Sequence, residues 1–175
     1  MENENFKTRL TKVKALLFDV DGVLTDGSIT LMESGDQVRT MNIKDGFALQ
    51  LAVKKGFLVG IISGGRSEAV RKRMEYLGVQ DIILGAFRKT EHYEDYLATY
   101  SLEPHQVLYM GDDLPDFEIM QKVGVPVCPA DAVPEIRQLS IYVSLLAGGK
   151  GCVRDVIEQT LRAQGKWSDG ERFVW

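Results

Sequence analysis

The chain predicts an α/β fold, a Rossmann-like, mainly parallel sheet flanked by helices and carrying a β-hairpin flap. Three observations predict it. Short apolar runs alternate with segments of helical pattern. The runs are apolar almost throughout, as strands buried on both faces are. Gly56, Gly78, Gly124 and Gly165 stand just past helical segments, where C-caps fall.

Taken in order, strands are expected at residues 15–18, 58–62, 82–84, 107–110 and 125–128, with a short one at 141–143. Helices are expected at 47–55, 67–77, 90–100, 115–123, 133–139 and 152–164. Residues 28–42 break the alternation. They read as two short strands around Glu33-Ser34-Gly35-Asp36, a hairpin with a Gly-containing turn. Ligand-binding loops of an open α/β sheet lie at the carboxyl ends of its strands. A hairpin that directly follows the first strand should therefore stand over the site as a flap. Glu103-Pro104-His105 reads as a turn, and Met74, Met110 and Met120 fall at apolar positions of the core. The tail 166–175 carries Trp167, Phe173 and Trp175, which either dock on this subunit or a neighbour or belong to a frayed end.

A chain of 175 residues with 45% hydrophobic content suits a single domain over residues 1–175. A net charge of -4 gives no reason to expect nucleic acid or an anionic membrane surface as partner. No apolar run approaches the roughly 20 residues that cross a bilayer. The polar start, Met1-Glu2-Asn3-Glu4-Asn5, is unlike a secretory signal, so a cytoplasmic protein is expected. Cys128 and Cys152 match no metal-ligand spacing and read as buried free thiols. His92 and His105 are far apart and read as surface or packing residues.

Chemistry concentrates at the carboxyl ends of the expected strands. Phe18-Asp19-Val20-Asp21-Gly22 ends the first strand with two carboxylates. Ser63 follows the second, in Ile61-Ile62-Ser63-Gly64-Gly65. Lys89 stands just ahead of a helix, and Gly111-Asp112-Asp113-Leu114-Pro115-Asp116 follows the fourth strand. Phosphoryl transfer asks for such a set. The attacking and leaving oxygens must be aligned and the charge on the transferred group neutralised. Mg²⁺ keeps several waters and needs only one or two protein carboxylates. A carboxylate nucleophile splits hydrolysis into two easier steps through an aspartyl phosphate. Ser63 and nearby backbone N–H groups can hold phosphate oxygens, Lys89 can neutralise nucleophile and phosphate together, and Asp112 can supply a second carboxylate to the cation.

These residues, in this order, resemble the four motifs of the haloacid dehalogenase superfamily of phosphatases, over nearly the whole chain. The resemblance implies that Asp19 is the nucleophile. It makes Asp21 the acid that protonates the leaving alcohol and then the base that activates water, with its main-chain carbonyl on the metal. Ser63 and Lys89 would bind phosphate and Asp112 would be the principal Mg²⁺ ligand, with Asp113 and Asp116 as supporting or structural carboxylates. Neither stretch that holds a cap domain in larger members has room for one. The chain is similar to the capless family acting on 3-deoxy-D-manno-octulosonate 8-phosphate (KDO 8-phosphate), an intermediate of lipopolysaccharide sugar synthesis. Asp19 to Gly27 matches its extended first motif, and Asn42-Ile43-Lys44-Asp45-Gly46 its substrate-facing segment. Gly148 to Asp155 resembles its glycine-rich turn, and Ala163-Gln164-Gly165-Lys166 also recurs there. Members are homotetramers in which neighbouring subunits complete each site.

By the same resemblance Asn42, Ile43, Lys44, Asp45, Gly46, Gly64, Arg66, Arg73 and Lys89 are candidate substrate contacts. Arg73 borders an apolar helical stripe, so it is either a ligand or an Arg laid along the surface. Gln50 and Gly65 stand where the family usually carries Arg; Arg66, one position later, is the expected substitute. A related enzyme acting on a nine-carbon sialic-acid-type 9-phosphate lacks the Lys44-Asp45-Gly46 pattern, which ranks the eight-carbon acid first. A catalytically silent module on the same fold would usually have lost a motif carboxylate, and none is lost here.

Overall fold

In the computed structural model, which describes residues 5–167, β1 (Ala15–Phe18) lies inside a six-stranded parallel sheet. The order is β5 (Asp81–Leu84), β4 (Leu58–Ser63), β1, β6 (Val107–Met110), β7 (Val125–Cys128) and β8 (Tyr142–Val143). Every pairing is parallel, so all carboxyl ends share one edge. The apolar runs become strands because helices cover both faces. Leu16 and Phe18 pack on one side with α1 (Phe6–Leu10), α2 (Ile43–Lys54), α3 (Glu68–Tyr76) and α7 (Cys152–Ala163). Ala15 and Leu17 pack on the other with α4 (Lys89–Tyr100), α5 (Phe117–Lys122) and α6 (Pro134–Leu139). All four are fully buried, and each large apolar side chain so buried contributes roughly 1.5–3 kcal/mol.

Between β1 and α2 lies the hairpin. Its strands, β2 (Thr30–Leu31) and β3 (Gln37–Val38), pair antiparallel only with each other, as a separate two-stranded sheet. Gly35 supplies the positive φ of +88° in the turn.

The structure shifts several expected boundaries. α2 begins at Ile43, not 47, because the Asn42 side chain caps it by accepting from Lys44 N at 2.8 Å. The helix expected at 115–123 splits into a 3₁₀ turn, Leu114–Asp116, followed by α5. The turn at 103–105 is a 3₁₀ turn, Pro104–Gln106, and α1, capped by Asn5, was not expected. Gly56, Gly78 and Gly165 do take the left-handed conformation after their helices, but Gly124 does not. A Cβ there would meet His105 Cα at 2.4 Å, so glycine is required by close backbone approach rather than by a cap. Cys128 and Cys152 are free and buried. Met74, Met110 and Met120 are in the core. Trp167 packs against the core beneath Arg154 and Arg162, while Phe173 and Trp175 lie outside the described residues.

Candidate active site

The register of β1 on β6 builds the centre of the site. Phe18 pairs with Met110, and Asp19 N donates to Met110 O at 3.1 Å. Asp19, one residue past β1, and Asp112, two past β6, therefore leave the sheet at neighbouring strand ends. One carboxylate oxygen from each of Asp19, Asp112 and Asp116 falls within 4.8 Å of the others. Gly22 makes this approach possible. Its φ is +84°, and a Cβ there would lie 2.0 Å from Asp112 Oδ2.

Lys89 enters from the first turn of α4, with a side chain 4% exposed. Its Nζ lies 2.6 Å from Asp116 Oδ1 and 3.0 Å from Asp19 Oδ1. The contact with Asp116 is a hydrogen bond, and Asp116 Oδ1 also accepts from Tyr109 OH at 2.6 Å. Asp116 Oδ2 accepts from Asp112 N at 3.1 Å. Both oxygens of Asp116 are thus committed to the protein, and this carboxylate orients Lys89 and the Asp112 loop. Asp116 is more central than the sequence suggested. Tyr109 was not anticipated; its signal was a lone hydroxyl on an apolar strand.

Asp19 is different. Its Oδ1 is buried, and among the described residues it accepts no hydrogen bond, Lys89 approaching as an ion pair outside hydrogen-bond geometry. Burial pushes the Asp19 carboxyl up to about 6, against the pull of Lys89 and with repulsion from Asp116. Burial, with repulsion from Asp116 and Asp19, pushes Asp112 up to about 8. Lys89 is held above the ordinary lysine range: burial opposes its charge, but Asp19 and Asp116 outweigh it. A buried carboxylate with unused acceptor capacity beside a second one fits a hard divalent cation, which prefers oxygen ligands. Asp19 and Asp112 are the residues that would hold it.

The sign of the pH response follows. A carboxyl whose pKa is raised on folding favours the folded state below its unfolded value, near 4, and loses that contribution as pH rises through its folded value. In chelator, stability should therefore fall between pH 4 and 8, above pH 6 through Asp112, by up to roughly 1.4 kcal/mol per pH unit for each extra proton the folded state holds, and the melting temperature should fall with it. Asp112→Asn should flatten that slope, and added Mg²⁺ should stabilise more at pH 8 than at pH 6. Differential scanning fluorimetry reads both; a slope unchanged by Asp112→Asn refutes the assignment.

Beside this centre Asp21, Arg39, Ser63 and Gly65 close around a gap too small to admit water. Ser63 ends β4, and its Oγ accepts from Gly65 N at 3.3 Å. Gly64, the next residue, is exposed. Arg39, just past β3, reaches from the hairpin to Asp21. Its Nε donates to Oδ1 at 2.6 Å and its Nη2 to Oδ2 at 3.0 Å. Arg39 was missed by the sequence reading, although a cation ending a hairpin over an acidic site was the available signal.

Other candidate residues fall elsewhere. Ile43 and Lys44 are exposed on the first turn of α2, and Asn42 Nδ2 donates to Gly149 O at 3.3 Å while its Oδ1 caps the helix. Asp45 corrects the expectation of a substrate contact. It is 1% exposed and accepts from Gly151 N at 3.2 Å and Arg154 N at 2.7 Å, fastening the start of α7. Gly46 packs under Arg73, whose Nη2 would lie 2.7 Å from a Cβ. Arg66, expected to stand in for the guanidinium missing at Gly65, is exposed. It lies over Gly85 and stacks on Phe87, 5.1 Å from the ring centroid. Asp113 is exposed and caps the 3₁₀ turn through Leu114 N at 2.8 Å. Gln50 Oε1 is buried with no hydrogen-bond partner among the described residues.

A parallel α/β sheet with a carboxylate pair, a buried lysine and a strand-end serine at one edge defines a phosphatase of the haloacid dehalogenase superfamily. Its relatives narrow the class. Over 164 residues the chain is 36% identical to the 3-deoxy-D-manno-octulosonate 8-phosphate phosphatase KdsC of Salmonella typhi, covering 94% of this chain and 87% of that one. The chain belongs to the KDO 8-phosphate phosphatase family. The KdsC of Escherichia coli K12 is 36% identical over 159 residues, covering 91% and 85% of the two chains. The crystal structure of the Yersinia pestis phosphatase matches with a TM-score of 0.90 at 35% identity, covering 93% and 88%. That of the Moraxella catarrhalis phosphatase, in complex with magnesium ion, phosphate ion and KDO, matches with a TM-score of 0.90 at 30% identity, covering 93% of each chain. No protein-family model matches the chain. No helix among the described residues is long and apolar enough to cross a membrane.

Proposed function

We propose that this chain hydrolyses KDO 8-phosphate to the free sugar acid and phosphate, with Mg²⁺ and through a phosphorylated Asp19. The observation that carries the reading is the convergence of Asp19, Asp112 and Lys89 at one strand edge. A carboxylate oxygen of Asp19 attacks phosphorus, and the bond from phosphorus to the sugar oxygen breaks. Asp21 gives that oxygen its proton. A water then attacks phosphorus, returns a proton to Asp21, and frees Asp19 and inorganic phosphate. Ser63, Gly64 and Lys89 hold the non-bridging oxygens of the transferred phosphoryl group. Mg²⁺, held by the side chains of Asp19 and Asp112 and the main chain of Asp21, would neutralise charge on the phosphoryl group.

The names of the relatives support the eight-carbon acid. Retention of every motif carboxylate and Lys89 disfavours a silent module. We further propose a cytoplasmic homotetramer in which neighbours cover the open site. The exposed apolar residues of the hairpin, Leu31, Met32 and Val38, support it, since such a surface on a flap is normally covered. Sedimentation as a monomer would refute that arrangement.

The substrate is tested by phosphate release in Mg²⁺. KDO 8-phosphate should exceed both hexose phosphates and the nine-carbon 9-phosphate in kcat/KM, by roughly tenfold or more. Equal or reversed preference removes the assignment.

A further inference from the structure

We propose that Arg39 is a specificity-determining latch: its guanidinium holds Asp21 while the site is empty and exchanges it for the carboxylate of the sugar acid. The inference rests on the reading of the substrate as a phosphorylated sugar acid. Three observations carry it.

The first is the quality of the contact. The Arg39 side chain is 10% exposed and engages both oxygens of Asp21 in the paired geometry that guanidinium forms with carboxylates. An Asp held so is turned along the fork. Facing a leaving group costs it both bonds unless another carboxylate takes the fork, and a phosphorylated sugar acid brings one.

The second is the space behind the fork. A groove of about 830 Å³ runs from Arg39 between the hairpin and the start of α3, past Gly65 and Arg66 to Arg73. That volume suits a small organic ligand. Its two acidic side chains have other engagements: Glu68 pairs with Arg71 at 3.7 Å and Asp36 accepts from Ser34 at 2.7 Å. Gly65 keeps the passage open. A Cβ there would already lie 3.4 Å from Asp21 Oδ2 and 3.7 Å from Arg39 Nη2, and a longer side chain would fill the way. Arg66 and Arg73 line the groove too, but Arg39 is the one whose guanidinium engages Asp21.

The third is mechanical independence. Arg39 sits on a hairpin that forms its own two-stranded sheet, so it can swing from Asp21 into the groove without breaking a bond of the six-stranded sheet. A sugar phosphate without a carboxylate would leave the latch shut.

The test compares wild type, Arg39→Gln and Arg39→Lys on KDO 8-phosphate and on a neutral hexose phosphate, with free KDO as competitor. Arg39→Gln should lower kcat/KM on the sugar-acid phosphate by roughly a hundredfold, the scale for losing a two-bond contact to a carboxylate, and raise kcat on the hexose phosphate. Arg39→Lys, which restores charge without the fork, should fall between. Inhibition by free KDO should weaken at least tenfold in Arg39→Gln. A loss by the same factor on both substrates, or unchanged inhibition by free KDO, overturns the latch. Wild type that does not prefer the sugar-acid phosphate would overturn the functional reading beneath it, a separate and recognisable result.

Discussion

Asp19→Asn is expected to lower kcat by roughly 10⁴-fold or more, the scale seen when a covalent nucleophile is removed, while leaving the protein folded. The amide has the shape of the carboxylate and can still accept from nearby donors, but it does not attack phosphorus. Lys89 keeps its hydrogen bond to Asp116, so the buried ammonium is not stranded. Circular dichroism and the melting temperature should stay close to wild type, and mass spectrometry should find no phosphorylated intermediate. Turnover retained within tenfold of wild type would end the covalent mechanism.

The second large effect is on stability. Lys89→Met should cost roughly 3–5 kcal/mol, the usual result of removing one partner from a buried ion pair. Asp116 is 1% exposed and would keep only the hydroxyl of Tyr109 and the amide of Asp112. Asp19 and Asp112 would lose their neutralising charge as well. At two to four degrees per kcal/mol for a chain of this size, the melting temperature should drop by about 10 °C. The deficit should shrink as pH falls toward 5, because protonating the stranded carboxylates removes the uncompensated charge. Added Mg²⁺ should restore part of it at pH 8. A melting temperature within two degrees of wild type at pH 8 would mean that the three carboxylates do not depend on Lys89.

The sequence exposed what repeats locally. An apolar run ending in Asp-x-Asp-Gly has few readings, and its strand emerged where expected, with Asp19 and Asp21 just past its carboxyl end. Helix termini were less legible. α2 was expected four residues late because Lys44-Asp45-Gly46 looks like a loop, although Asn42 with an acid three residues on is a helix-start signal. What no local pattern carries is a bond between distant segments. Arg39 meets Asp21 only because the hairpin folds back, and Asp45 meets Gly151 only because α2 lies beside α7. Asp116 looked peripheral since nothing in Asp112-Asp113-Leu114-Pro115-Asp116 says which acids turn inward. The 3₁₀ turn decides that, leaving Asp113 outside and Asp116 within.

The contact between Gly22 and Asp112 links the histories of the two positions. The absent side chain at 22 is filled by the carboxylate at 112, so a mutation at either alone meets a collision or opens a void. Losing the acid at 112 would relax the steric ban at 22, leaving only the cost of a left-handed backbone. Glycine at 22 is thus held by two separate constraints, the room taken by the carboxylate at 112 and its own positive φ, and a side chain there is tolerated only when both are relieved.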